Sequence, residues 1–178
     1  MARPCMQRSR TRRGWGPGGF SLIEVMVAVV LVGIGVASVM VAMQSGTQVN
    51  AAGRDITQAI YLAQEVREWT LKLPFSDTDP GDADNPPGPD GSDPQTFVDD
   101  LDDLMNVTYS PPRDASSNAM GELGDWSQHI ALSWRDPDDL VTEVAAGSSD
   151  CIYVTVTIGR GGRDVLSTGW LVTRRVPQ

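Results

Sequence analysis

Few side chains in this 178-residue sequence are placed to do chemistry, and most of those that are carry carboxylates. Asp77, Asp79, Asp82 and Asp84 alternate through a stretch rich in Asp, Pro and Gly. Such a series offers hard oxygen ligands to calcium, although the glycine and closing glutamate of an EF-hand loop are missing. The competing reading is a solvated acidic loop with no ion in it. The single histidine, His129, has no nucleophile or second ligand at a recognisable spacing, so a structural role is expected. Cys151 has no cysteine partner outside the basic amino terminus and is expected as a small buried residue in a strand. The pairs Asp99-Asp100, Asp102-Asp103 and Asp138-Asp139 read as solvated charge. Gly159 to Gly162 joins two strand-like segments and lacks the helix a phosphate-binding loop requires. No catalytic constellation emerges, and an enzyme is not expected. One carboxylate stands apart. Glu24 lies just inside a long apolar run, where an unpaired charge costs several kcal/mol.

The elements around Glu24 explain why it is there. All of Arg3, Arg8, Arg10, Arg12 and Arg13 precede it, and the first 19 residues contain no acid. The whole chain is nevertheless acidic, with a net charge of -9, so the body beyond the arginines is strongly negative. That balance argues against a nucleic-acid partner, which would need a basic face for phosphate. From Val25 to Met43 no charge interrupts the chain, and none follows until Arg54. A run of this length suits a helix crossing about 30 Å of hydrocarbon. Arginines before the run and acids after it place the amino terminus in the cytoplasm.

A secretory signal peptide fits poorly, because its apolar core is shorter, about 7 to 15 residues, and its small-residue cleavage site follows that core. Here the small residues Gly18 and Gly19 come before the apolar run. Cutting there would discard the charged head and keep the apolar segment.

Gly19-Phe20-Ser21-Leu22-Ile23-Glu24-Val25, behind a basic leader and opening a long apolar helix, resembles the signature of type IV prepilins and type II secretion pseudopilins. The resemblance covers residues 14–45 closely and extends by pattern to about Leu73. It implies cleavage by a prepilin peptidase between Gly19 and Phe20, N-methylation of the new amino group of Phe20, and pairing of Glu24 with a neighbouring subunit's amino terminus in a filament. It also implies other pilin or pseudopilin subunits, an inner-membrane assembly platform and membrane lipid as partners. The protein would sit in a bacterial inner membrane with a periplasmic head, then in a pilus or pseudopilus. A major pilin commonly closes a carboxy-terminal loop with a disulfide, whereas only Cys151 would survive maturation here, which points to a minor pilin or minor pseudopilin. Pseudopilin heads sometimes bind calcium; beyond that ion no cofactor is implied.

Nothing breaks the helical pattern between Phe20 and Pro74. Its first half, to about residue 45, is apolar on all sides. Residues 46–73 turn amphipathic, with Ile56, Ala59, Ile60, Ala63, Val66, Thr70 and Leu73 expected on one face. Arg54, Gln58, Glu65 and Glu68 are expected on the other, with Glu68 and Lys72 in the favourable i,i+4 order. Ser38, Ala42 and Gly46 form a small-residue stripe suited to close helix contact, and Gly33 and Gly35 offer a place to unwind.

Pro74 stops the helix. Residues 74–112 hold ten aspartates and no basic residue, and read mainly as an irregular loop with a short helix over Phe97 to Met105. Beyond residue 113 the pattern alternates with period two in Trp126 to Trp134, Cys151 to Ile158 and Val165 to Arg174. The expected fold class is therefore α+β: a long amino-terminal helix, membrane-spanning in its first half, with its second half packed on a small antiparallel β-meander. Two classes of function follow. One is a non-enzymatic filament subunit; the other is a membrane-anchored periplasmic protein that binds a ligand or calcium and does not polymerise.

Overall fold

The computed structural model describes residues 19–76, 87–89 and 98–174. The chain divides into two units, Met1–Gln48 and Val49–Gln178. Helix α1 (Leu22–Lys72) is a single 51-residue element with residues in both.

In the first unit the described residues are the start of α1 and the three positions before it. The Glu24 N–H donates to the backbone oxygen of Ser21 at 3.0 Å and to its hydroxyl at 3.2 Å. This caps one of the amide groups that a helix start otherwise leaves without a partner. Every large apolar side chain from Phe20 to Met43 is exposed. The helix is long and apolar enough to cross a membrane. Ser38 does not interrupt it, because its hydroxyl donates back to the Ile34 carbonyl at 2.8 Å.

The second unit is an α+β head. Strands β1 (Val107–Tyr109), β2 (Trp126–Trp134), β3 (Cys151–Arg160) and β4 (Arg163–Thr173) form one antiparallel sheet in the order β1-β2-β3-β4. This is the meander expected from the alternating pattern, with β1 added at one edge. The β3–β4 turn uses Gly161 and Gly162 at φ +56° and +77°, as a two-residue turn between right-twisted strands demands. Ile152, Val154, Val156 and Ile158 on β3, with Ile130 and Trp134 on β2, point into the core and meet Ala59, Leu62, Ala63, Val66 and Trp69 of α1. Trp126 is buried with them, and Trp170 packs against the cluster half-buried.

The buried stripe of α1 is rotated from the expected one. Ile56 and Ile60 remain 48% and 45% exposed, while Leu62 and Trp69 are buried in their place. Leu62, Val66 and Trp69 repeat at spacings of four and three, and the two largest side chains bury most area when they face the sheet. Turning them inward moves the isoleucines to the flank. The same rotation brings Glu65 to the packed side: its carboxylate accepts the Ala115 N–H at 2.8 Å. Lys72 donates to the Ala115 carbonyl at 3.0 Å. Thus Glu65 is not a free solvent-facing charge, and Lys72 binds main chain.

Three further links hold helix to sheet. Gln128, fully buried on β2, donates from Nε2 to the carbonyls of Leu62 and Arg113, both at 3.1 Å, and accepts the Arg113 N–H at 2.7 Å. Trp170 on β4 donates to the Thr70 hydroxyl at 3.1 Å. Arg160 pairs with Asp55 on α1 and with Asp125 at 2.8 Å, its guanidinium 5.3 Å above the Trp126 ring.

The segment before β1 departs from the expected short helix with solvated aspartates. Only Asp102–Leu104 forms a 3-10 turn, and Phe97 lies outside the described residues. Leu101 and Leu104 are buried, and so are Asp100, Asp102 and Asp103. Their carboxylates are drawn inward because local backbone N–H groups replace water: Asp100 Oδ1 accepts from Asp102 at 3.0 Å and from Asp103 at 3.3 Å. Asp138 and Asp139 are exposed, as read.

Candidate assembly site at the start of the long helix

Gly19 and Phe20 lie in extended or irregular backbone immediately ahead of α1, both exposed. The basic leader expected before them falls outside the described residues. Ser21 occupies the cap position and Glu24 the third helical position, in the first turn. An acidic group there faces the positive end of the helix dipole, worth about 0.3–1 kcal/mol when exposed. Ser-x-x-Glu is also the residue pattern of a capping box, a signal present in the sequence that compositional reading of the apolar run passes over. The structure therefore gives Glu24 a local role in starting the helix, additional to anything it does toward another chain.

Chemistry in the head is sparse. His129 is exposed on β2, and its Nδ1 lies 2.9 Å from the Thr108 hydroxyl, a cross-strand pair on the outer face. Cys151 is a buried free thiol at the first residue of β3. Asp77, Asp79, Asp82 and Asp84 lie outside the described residues. Among the described residues no three His, Cys, Asp or Glu side chains converge on one metal position. A small cavity is lined by Phe75, Asp102, Trp134, Ser149 and Arg174, and a groove runs between Ile60, Gln64 and Arg67 of α1 and Leu166, Thr168 and Trp170 of β4. In the cavity the Ser149 hydroxyl is committed to the backbone, donating to the Arg135 carbonyl at 2.6 Å.

What remains is the amino-terminal constellation: a glycine and an aromatic residue exposed before a capped helix start, a first-turn glutamate, and an apolar surface that no described residue of the chain covers. A model of the prokaryotic N-terminal methylation motif matches residues 18–43. The chain is type IV prepilin-like. The match spans the glycine, the capped turn, Glu24 and the apolar first half of the helix, and leaves the head unmatched. No curated protein and no solved structure matches the chain. The prepilin-like assignment and the α+β architecture agree: one long helix, apolar at its start, followed by a four-stranded antiparallel sheet.

Proposed function

We propose that this chain is a non-enzymatic minor subunit of a type IV pilus or a type II secretion pseudopilus. The observation that carries the proposal is the register of the methylation motif with an exposed apolar helix surface. A prepilin peptidase cuts between Gly19 and Phe20 on the cytoplasmic side, and the freed amino group of Phe20 is methylated. The apolar half of α1 first holds the protein in the inner membrane with its head in the periplasm. It then leaves lipid for a bundle of like helices on the assembly platform. In that bundle Glu24 pairs with the amino terminus of a neighbouring subunit. A lone carboxylate in an apolar bundle is costly, whereas one facing an ammonium is compensated, so the charge selects the register in which helices join.

Co-expression with a prepilin peptidase tests the reading. The expected product loses the mass of residues 1–19 and begins at a methylated Phe20, by intact mass and amino-terminal sequencing. An unchanged mass, with Phe20 never appearing as the amino terminus, removes the filament-subunit reading.

A further inference from the structure

The turn that leads into β1 buries three carboxylates: Asp100, Asp102 and Asp103 are 3%, 7% and 1% exposed. Several of their oxygens have backbone donors. Besides the two amides that reach Asp100 Oδ1, the Gly88 N–H donates to Asp102 Oδ2 at 3.1 Å and the Asp99 N–H to Asp103 Oδ2 at 3.0 Å. Asp100 Oδ2 is buried and has no donor among the described residues. The Asp100 carboxyl instead meets the side chain of Asp102. Ionised carboxylates only accept hydrogen bonds, so two of them in contact repel unless something positive lies between. A single proton satisfies the contact: it sits on one carboxyl and donates to the other.

We propose that Asp100 and Asp102 share one proton at neutral pH, and that this proton latches the turn before β1, with Gly88 held through Asp102.

The charges around the pair leave the proton in place. Asp103, on the same turn, adds a like charge that disfavours ionisation of Asp100. Tyr109 of β1 lies near both Asp103 and Arg113 of the next loop, whose charges act on it in opposite senses, Arg113 lying 4.8 Å from its ring. Arg174 at the end of β4 lines the small cavity with Asp102, but its guanidinium is paired with Asp150 at 2.9 Å. From α1, Glu65 and Lys72 bind Ala115. From β2, His129 is exposed beside Thr108, and from the other side Gly88 supplies only its N–H. Burial first, then the contact with Asp102, push Asp100 up to about 8. In the unfolded chain an aspartate titrates near pH 3.9. The folded head thus binds a proton that the unfolded chain has released, and stability falls as pH rises from about 4 to about 8. Within that window the folding equilibrium constant drops up to about tenfold per pH unit, and above it the slope vanishes.

The full-length chain in detergent micelles is the material for the test. The infrared carbonyl band of a protonated carboxylic acid is expected at neutral pH in the wild type and absent in Asp100→Asn. Urea unfolding followed by tryptophan fluorescence between about pH 5 and pH 9 is expected to show a falling midpoint for the wild type. Asp100→Asn flattens that fall, because the amide NH₂ donates to Asp102 in place of the proton. Asp102→Asn provides a second variant with the same expected loss of the band. No protonated-acid band at neutral pH overturns the proposal. So does a midpoint slope unchanged in both variants. Disappearance of the wild-type band on adding millimolar calcium overturns it in favour of a metal site. Should either variant fail to fold, the wild-type infrared measurement still decides.

Discussion

The indole of Trp170 donates its N–H to the hydroxyl of Thr70 at 3.1 Å, while the same hydroxyl donates to the Arg67 carbonyl at 2.9 Å. One buried oxygen therefore ties edge strand β4 to the last turns of α1. Thr70 is among the most buried positions of the helix, although threonine is neither large nor a strong helix former. Its value lies in having both a donor and an acceptor where the helix meets the sheet. The pairing also explains why a polar residue sits in a stripe otherwise built from Ala, Leu, Val and Trp.

Thr70→Val is expected to destabilise the head by about 1–2 kcal/mol, because it leaves the Trp170 N–H without a partner at a half-buried site. Thr70→Ser keeps the hydroxyl and is expected to stay near wild type. A double-mutant cycle of Thr70→Val with Trp170→Phe, read by urea unfolding, isolates the pair and is expected to give a coupling of about 0.5–1.5 kcal/mol. Strict additivity of the two single changes would show that the bond contributes nothing.

Gln128 carries the most concentrated polar bonding in the core. It joins the helix main chain at Leu62 to both backbone groups of Arg113 through one amide. Gln128→Leu matches the volume but strands the Arg113 N–H and carbonyl, at an expected cost of about 2–4 kcal/mol. Gln128→Glu loses both donors and adds a buried acid whose pKa is raised by burial. In that variant the folded-state pKa exceeds the unfolded one, so the loss is smallest in mild acid and grows as pH rises toward neutrality. Unfolding midpoints of the two variants at about pH 5 and pH 7 check this: a Glu variant insensitive to pH contradicts the account.

Much of this architecture is local enough to read from the chain. Strands β2 and β3 follow from strict alternation, and Gly161-Gly162 places the hairpin between β3 and β4. The prepilin-like start is legible because glycine, aromatic, glutamate and apolar run must agree in spacing. What escaped depends on partners far along the chain or on very short elements. Glu65 looks solvent-facing until Ala115, fifty residues later, presents its N–H. The helical stripe is ambiguous between Ile56/Ile60 and Leu62/Trp69 because periodicity marks a face only to within about a third of a turn. β1 has three residues, too few for alternation to register, and follows Asn106 at φ +58°. Aspartates are read as solvated by composition, and burial of Asp100, Asp102 and Asp103 depends on backbone donors that only the folded turn supplies.

Helix capping and the proposed pairing of Glu24 with a neighbouring amino terminus make opposite demands on variants. Its N–H is held by Ser21, and its carboxylate faces the helix dipole, so part of its effect is local. Ser21→Ala removes the cap hydroxyl and is expected to weaken the helix start by about 1 kcal/mol, with incorporation into filaments reduced at most modestly. Glu24→Gln keeps the side-chain length and an acceptor oxygen but removes the charge. If pairing with an ammonium selects register, both Glu24→Gln and Glu24→Ala insert into the membrane normally and lose incorporation, measured as the fraction of subunit in sheared filaments. Incorporation of Glu24→Gln at the wild-type level would assign the carboxylate to helix capping. A loss for Ser21→Ala as deep as that for Glu24→Ala would assign it there as well.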